Sequence, residues 1–262
     1  MSDFLIVEEN LRVAMRFFAE ASGSGEVRTL DGTVAMFSGL DYGVFNIALL
    51  TRGVLGNTTD LELRLAELGR YFEERTLRWS FWVCEDLLDA AARRRERHAF
   101  TSFGMRAISH PPGMLAPALL PPLRDLPSIE LRRVADASTR AAFAEITSVA
   151  FEIPYMVAQT VYSRAEAWKG AYQGFVGLVN GKAVAIVAIV AAAGAMGVYS
   201  LATLPEFRRQ GYGEALLRHA VAEVHGRTGL TRLVLQSTDA GYRLYKRMGF
   251  HDVTRFTVYL TR

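Results

Sequence analysis

Arg208-Arg209-Gln210-Gly211-Tyr212-Gly213 lies between an apolar run, Val198-Tyr199-Ser200-Leu201-Ala202-Thr203-Leu204, and a helical pattern from Glu214 to Val224. The order is strand, glycine-containing loop, helix. Two glycines allow a tight turn and a close approach of backbone to a ligand. Amides of the loop and of the first helical turn then converge at the positive end of the helix dipole, which suits a phosphate. Arg208 and Arg209 add formal charge beside it. A basic turn between a strand and a helix is the plain alternative. The loop is not a Walker loop, because no Gly-Lys-Ser/Thr follows. It is not a Rossmann fingerprint either: the glycine spacing differs, and Val234-Leu235-Gln236 has no acidic residue at the ribose-binding distance.

Working outward, Leu230 to Gln236 reads as a further strand rich in branched apolar residues. Ser237, Thr238 and Asp239 are N-cap candidates for a short helix that Gly249 would stop. Upstream, Gly174–Val179, Asn180-Gly181 and Ala183–Ala191 read as a hairpin with a strong two-residue turn signal. Ile129–Val134 reads as a strand and Arg140–Ala150 as an amphipathic helix. Two motifs in this order, R-x-x-G-x-G and Leu244-Tyr245-x-x-x-Gly249-Phe250, resemble the core of the GNAT acetyltransferases, from about residue 128 to the end.

The resemblance implies an α+β fold, an α/β sandwich with a mixed, mostly antiparallel sheet flanked by helices. It implies acetyl transfer from acetyl-CoA to a primary amine, on a small molecule or a peptide. Leu201, Ala202 and Thr203 would offer backbone hydrogen bonds to the pantetheine arm. Arg208, Arg209, Gln210, Gly211, Tyr212 and Gly213, with Glu214 opening the helix, would hold the pyrophosphate. Ser237 and Thr238 complete the expected coenzyme contacts, with Thr238 near where many family members carry an asparagine. Tyr245 matches the tyrosine that protonates the leaving thiolate, and a phenol of pKa about 10 stays protonated at neutral pH. A helix tyrosine packed in the core is the plain reading of the same residue. Neither strand beside the expected thioester carries an acid, so Glu152 is the candidate base. An exposed surface glutamate, a water chain or a partly neutral amine are the alternatives. The competing function is a non-catalytic acyl-CoA-binding regulatory protein.

Half of the 262 residues are apolar, enough for one large or two small cores. No apolar run reaches the roughly 18 residues of a membrane span, and the N-terminus lacks a signal-peptide pattern. The single cysteine, Cys84, excludes an internal disulfide and reads as a buried thiol, with a cytoplasmic setting as the default. The histidines show no metal-ligand spacing, so no metal is expected. Residues 1–127 carry 14 Lys/Arg and 17 Asp/Glu, residues 128–262 carry 16 and 10. The loop therefore lies in the basic half, as an anionic coenzyme favours, but the surplus is too scattered for nucleic acid. The run Arg93-Arg94-Arg95-Glu96-Arg97 reads as a solvated helix face. A monomer or a homodimer is expected.

Six of the eight prolines fall between Pro111 and Pro127, which reads as an extended linker between domains 1–110 and 128–262. The first half can be laid on the second. Leu30-Asp31-Gly32 matches Val179-Asn180-Gly181, and Val44–Leu50 matches Val198–Leu204. Helices at Thr59–Glu74 and Asp86–His98 flank a strand at Leu77–Val83. Self-similarity of this order suggests two GNAT-like domains, although any two small α+β halves align loosely. The first copy has Thr51-Arg52-Gly53-Val54-Leu55-Gly56-Asn57 where the second has its loop, and Phe100 where the second has Tyr245. It also lacks room for a strand before its first helix, Glu8–Glu20. It reads as degenerate. Leu11, Met15 and Phe18, with Trp79 and Trp82 on one strand, are expected in its core.

Overall fold

The structure, a computed structural model, describes residues 2–56, 59–75 and 77–261. Asn57, the last residue of the segment compared with the loop, lies outside them. In chain order the elements of the first half are α1 (Asp3–Ala21), β1 (Glu26–Leu30), β2 (Thr33–Phe37), β3 (Ile47–Leu50), α2 (Asp60–Glu73), β4 (Ser80–Cys84), α3 (Ala90–Ser102), β5 (Met105–Ser109) and β6 (Pro112–Ala116). Those of the second are β7 (Glu130–Arg133), α4 (Ala137–Phe151), α5 (Tyr155–Tyr162), β8 (Tyr172–Val179), β9 (Lys182–Ala192), β10 (Ala195–Thr203), α6 (Tyr212–Thr228), β11 (Leu233–Gln236), α7 (Asp239–Arg247) and β12 (His251–Thr261).

The compact units are not the contiguous halves that the proline cluster suggests. One unit comprises residues 1–17 and 114–251, the other residues 18–113 and 252–262. The first owes residues 1–17 to buried polar pairing. Asn10 on α1 donates to the carbonyls of Val190, Ala192 and Ala195 at 3.1, 2.9 and 3.2 Å. Its Oδ1 accepts from the Tyr199 hydroxyl at 2.8 Å. The second unit owes residues 252–262 to β12, which pairs antiparallel with both β4 and β5.

In the unit of residues 1–17 and 114–251, β7, β8, β9 and β10 form an antiparallel run, and β10 lies parallel to β11. The β8–β9 turn is Asn180-Gly181 with φ of 50° and 78°, the doubly positive pair that a two-residue hairpin needs. Helix α6 buries Ala215, Leu216, Ala220, Val221 and Val224, one face at helical spacing, in a core with Val187, Ile189 and Leu235. Each large side chain buried there contributes about 1.5–3 kcal/mol. The expected linker is not a free spacer. Met114-Leu115-Ala116 is buried strand, with Pro112 at the strand's first position, where its missing N–H is tolerated.

In the unit of residues 18–113 and 252–262 the pattern repeats: β1, β2 and β3 run antiparallel, and β3 lies parallel to β4. The repeat extends to side chains. Asp60 and Arg64, four apart at the start of α2, form an ion pair of 2.7 Å; Glu214 and Arg218, in the first turns of α6, form one of 2.8 Å. Both pairs keep the sequence offset that relates Val44–Leu50 to Val198–Leu204. Phe100 is fully buried and stacks on Tyr259 at 3.8 Å. Cys84 is buried, with Sγ 3.3 Å from Thr254 Oγ1.

Two core expectations change. Trp79 and Trp82 do not share a face, because residues three apart on a strand point to opposite sides. Trp79 stacks on Phe72 of α2, whereas Trp82 is half-buried against Phe256. The arginine-rich run of α3 is not a uniformly solvated face either. Glu96 turns inward and accepts a hydrogen bond from Tyr259 at 3.1 Å, and burial raises its pKa.

Candidate functional site

A cavity of about 570 Å³ opens in the unit of residues 1–17 and 114–251. Its floor comes from a local failure of pairing. Between Tyr199 and Ala202 the β10–β9 register slips by a bulge, with Ser200 at φ 49°. On the other side, the β10–β11 ladder among the described residues covers Met196–Gly197 and Leu233–Val234 only. Beyond it β10 and β11 no longer pair with each other, although Ala202 and Thr203 still pair with β9, and Leu201, Ala202 and Thr203 line the cavity.

The loop follows directly. Arg209 has φ 60° and Gly211 φ 99°, so the chain turns sharply into α6. Gly211 is the N-cap of α6, and no side chain caps the helix. By contrast, Asp136 caps α4 and Thr238 caps α7. The first-turn amides of a 17-residue helix, the positive end of its dipole, thus have no side-chain acceptor. Arg208, Arg209, Gly211, Tyr212, Gly213 and Glu214 all line the cavity. Arg208 is steadied by donating to the Thr203 carbonyl at 2.9 Å.

The glycines also serve packing. A Cβ on Gly211 would stand 2.9 Å from Pro127 Cδ, and one on Gly213 would stand 2.9 Å from Thr203 Oγ1. Gly211 also needs its positive φ.

Tyr245 on α7 lines the same cavity. Its ring is buried against Phe250, edge-on at 5.6 Å. Burial pushes the phenol pKa well above its usual value, so the group is protonated at any physiological pH. No hydrogen bond of its hydroxyl is found among the described residues, and Gly241, one turn before it, lies against its ring.

Three expected contacts fall elsewhere. Gln210 is exposed and donates to the Glu206 carbonyl at 2.9 Å, off the cavity wall. Ser237 is buried and donates to the Thr238 carbonyl at 2.8 Å, because its side chain alternates to the inner face at the end of β11. Glu152 is exposed in a left-handed conformation at the C-cap of α4; its neighbour Phe151 lines the cavity. Thr238 reaches the cavity, but its hydroxyl also accepts from the Gly241 amide at 3.3 Å.

The sequence reading missed Arg124, Arg247 and Gly241. Arg247 was legible as a base on the last turn of the tyrosine helix. Nothing in the sequence brings Arg124, from the proline-rich stretch, to the loop. Among the described residues there is no cluster of His, Cys, Asp or Glu that could hold a metal, and no helix is long and apolar enough to cross a membrane.

Residues 170–252, which hold the bulged strand, the loop and the tyrosine helix, match the family model described as an acetyltransferase (GNAT) domain. No curated protein sequence matches the chain. Among solved structures, a GCN5-related N-acetyltransferase from Kribbella flavida is similar over 100% of this chain and 96% of its own, at 20% identity and a TM-score of 0.73. A functionally unknown protein from Staphylococcus epidermidis is similar over 91% and 94%, at 16% identity and a TM-score of 0.64. A GCN5-related N-acetyltransferase from Sphaerobacter thermophilus covers 88% of this chain and 76% of its own, at 18% identity and a TM-score of 0.57. These likenesses span both units and establish a shared fold. Residues 170–252, the cavity-bearing segment, are thus similar to the GNAT acetyltransferase domain, and over the rest of the chain the likeness to these structures is one of fold.

Proposed function

We propose that this protein transfers the acetyl group of acetyl-CoA to a primary amine by direct attack. The observation that carries the reading is the uncapped start of α6 with Arg208 and Arg209 at one end of a cavity and Tyr245 on the wall of the same cavity. An anionic coenzyme fits this donor set: first-turn amides, guanidinium groups and a helix dipole of one sign. The coenzyme's thioester supplies the acetyl group.

In this reading the loop from Arg208 to Gly213 and the Glu214 amide hold the pyrophosphate, with Thr238 beside it. The backbone of Leu201, Ala202 and Thr203, on the side that β11 leaves open, orients the pantetheine arm and polarises the thioester carbonyl. Much of the acceleration comes from holding a neutral amine against that carbonyl. Tyr245 Oη then gives its proton to the departing thiolate, a stronger base than neutral water. Glu152, the sequence candidate for the base, lies off the cavity wall, so the amine's proton leaves through water or the amine arrives already neutral. Glu214, although on the cavity wall, is engaged by Arg218 at 2.8 Å and unsuited to act as the base.

The test is calorimetry with coenzyme A, followed by transfer assays over small amines, peptide N-termini and lysine peptides with a free-thiol readout. Tight binding with thiol release on one acceptor class supports the enzyme. Binding without turnover on any class would favour a non-catalytic acyl-CoA-binding protein. No binding would refute the site.

A further inference from the structure

We propose that the proline-rich segment is a strap across the rim of the coenzyme cavity, and that it supplies Arg124 as a ligand for the coenzyme's phosphates. The inference rests on reading the cavity as a coenzyme site.

The segment is tied at two points, one just past α7 and one at the loop, two elements that both contribute to the cavity wall, all within the unit of residues 1–17 and 114–251. At one end the Leu120 amide donates to the Met248 carbonyl at 3.0 Å, just past α7. Leu120 Cγ stands 2.9 Å from where a Gly249 Cβ would be, so Gly249 makes room for the strap. At the other end Pro127 and Leu126 pack on Gly211 of the loop, and both Leu119 and Leu126 pack against the unit's core. Between these anchors Pro121, Pro122 and Leu123 are exposed, and Arg124 turns onto the cavity wall. Prolines in the span stiffen it, which lowers the entropy cost of presenting one side chain.

Arg124 Nη2 lies 3.5 Å from the Arg209 carbonyl, beside the loop. Arg124, Arg208, Arg209 and Arg247 all line the cavity, and among the described residues none of them makes an ion pair. The one carboxylate on the described wall, Glu214, is paired with Arg218, so these cationic side chains repel one another and the arrangement calls for a multiply charged anion. A guanidinium on a stiff strap meets phosphate oxygens bidentately. The chemistry fits either the pyrophosphate or the 3′-phosphate of the coenzyme.

The experiment compares the unaltered chain with Arg124→Ala and Arg124→Lys by calorimetry, using coenzyme A and 3′-dephospho-coenzyme A at two salt concentrations. Arg124→Ala is expected to weaken coenzyme A about tenfold, with a shallower salt dependence, and Arg124→Lys to weaken it less. An equal loss on both ligands assigns the pyrophosphate; a loss on coenzyme A alone assigns the 3′-phosphate; both support the strap. Unchanged affinity for both ligands, in a variant with an unaltered melting temperature, overturns it while leaving the coenzyme reading intact. If the unaltered chain binds neither ligand, the cavity reading falls and the role of Arg124 with it.

Discussion

Gly241 and Tyr245 face each other across one turn of α7: a Cβ on Gly241 would stand 2.8 Å from Tyr245 Cε2. A glycine inside a helix costs about 1 kcal/mol relative to alanine. Here that cost leaves space for the phenol ring at the cavity wall. Gly241→Ala should therefore gain helix propensity and displace the ring. We expect a melting temperature within a few degrees of the parent and turnover lowered roughly tenfold, with coenzyme affinity retained. Unimpaired turnover would show that the ring position does not matter.

Tyr245→Phe removes the proton donor and keeps the ring packed on Phe250. Turnover should fall by about 10²-fold, with little change in coenzyme affinity by calorimetry. Burial raises the phenol pKa, so the unaltered enzyme should show no loss of rate from Tyr245 ionisation up to pH 10. A rate that declines with an apparent pKa below 10 in the parent, and not in the variant, would contradict this assignment of the phenol's state.

Glu8 predicts a pH dependence of stability. It is 2% exposed, and burial raises its pKa from 4.5 to about 7 against the opposing influence of Arg12, whose Nε is 3.2 Å away. A folded-state pKa above the unfolded one means the native state binds the proton more tightly between these values. The stabilisation is present in full below pH 4.5 and is lost as pH rises through 7. Glu8→Gln should remove that slope. By urea titration, its advantage over the parent should grow by up to about 3 kcal/mol from pH 5 to pH 8. A constant difference across that range would rule out the titration.

Arg64 occupies the place in the repeat that Arg218 has in the cavity-bearing unit, but with more partners. Its guanidinium, 3% exposed, donates to the carbonyls of Gly32, Arg52 and Gly53 at 3.2, 3.0 and 2.9 Å, and to both oxygens of Asp60. Carbonyls gathered round a cation do not form an anion site. We expect one coenzyme bound per chain, with Arg64→Ala lowering stability by about 3 kcal/mol and leaving that stoichiometry unchanged. Two coenzymes per chain by calorimetry would refute a silent first copy.

Local chemistry in the chain carried most of the fold. Asn180-Gly181 demands a tight hairpin, Gly211 admits the turn into α6, Thr238 caps α7, and Gly249, with φ 100°, ends it. Each is a short-range steric or hydrogen-bonding preference, so each is visible in a few residues. The strand order common to the two units, three antiparallel strands with the third parallel to a fourth, follows local signals of the same kind, such as Asp31-Gly32 and Asn180-Gly181 at the hairpins.

What lay beyond the sequence depends on partners far apart in the chain. Ser237 and Gln210 satisfy nearby carbonyls instead of the cavity, a choice made by strand alternation and loop path. Asn10 bonds across about 180 residues to the β9–β10 turn, and β12 completes a sheet built from the first half of the chain. The sequence by itself determined the elements, the loop and the tyrosine helix, because backbone preferences act over a turn or two. Only the tertiary structure decided that Gly211 faces Pro127, that Gly241 makes room for Tyr245 and that Arg124 joins the loop. Those contacts follow from close packing, which no local pattern encodes.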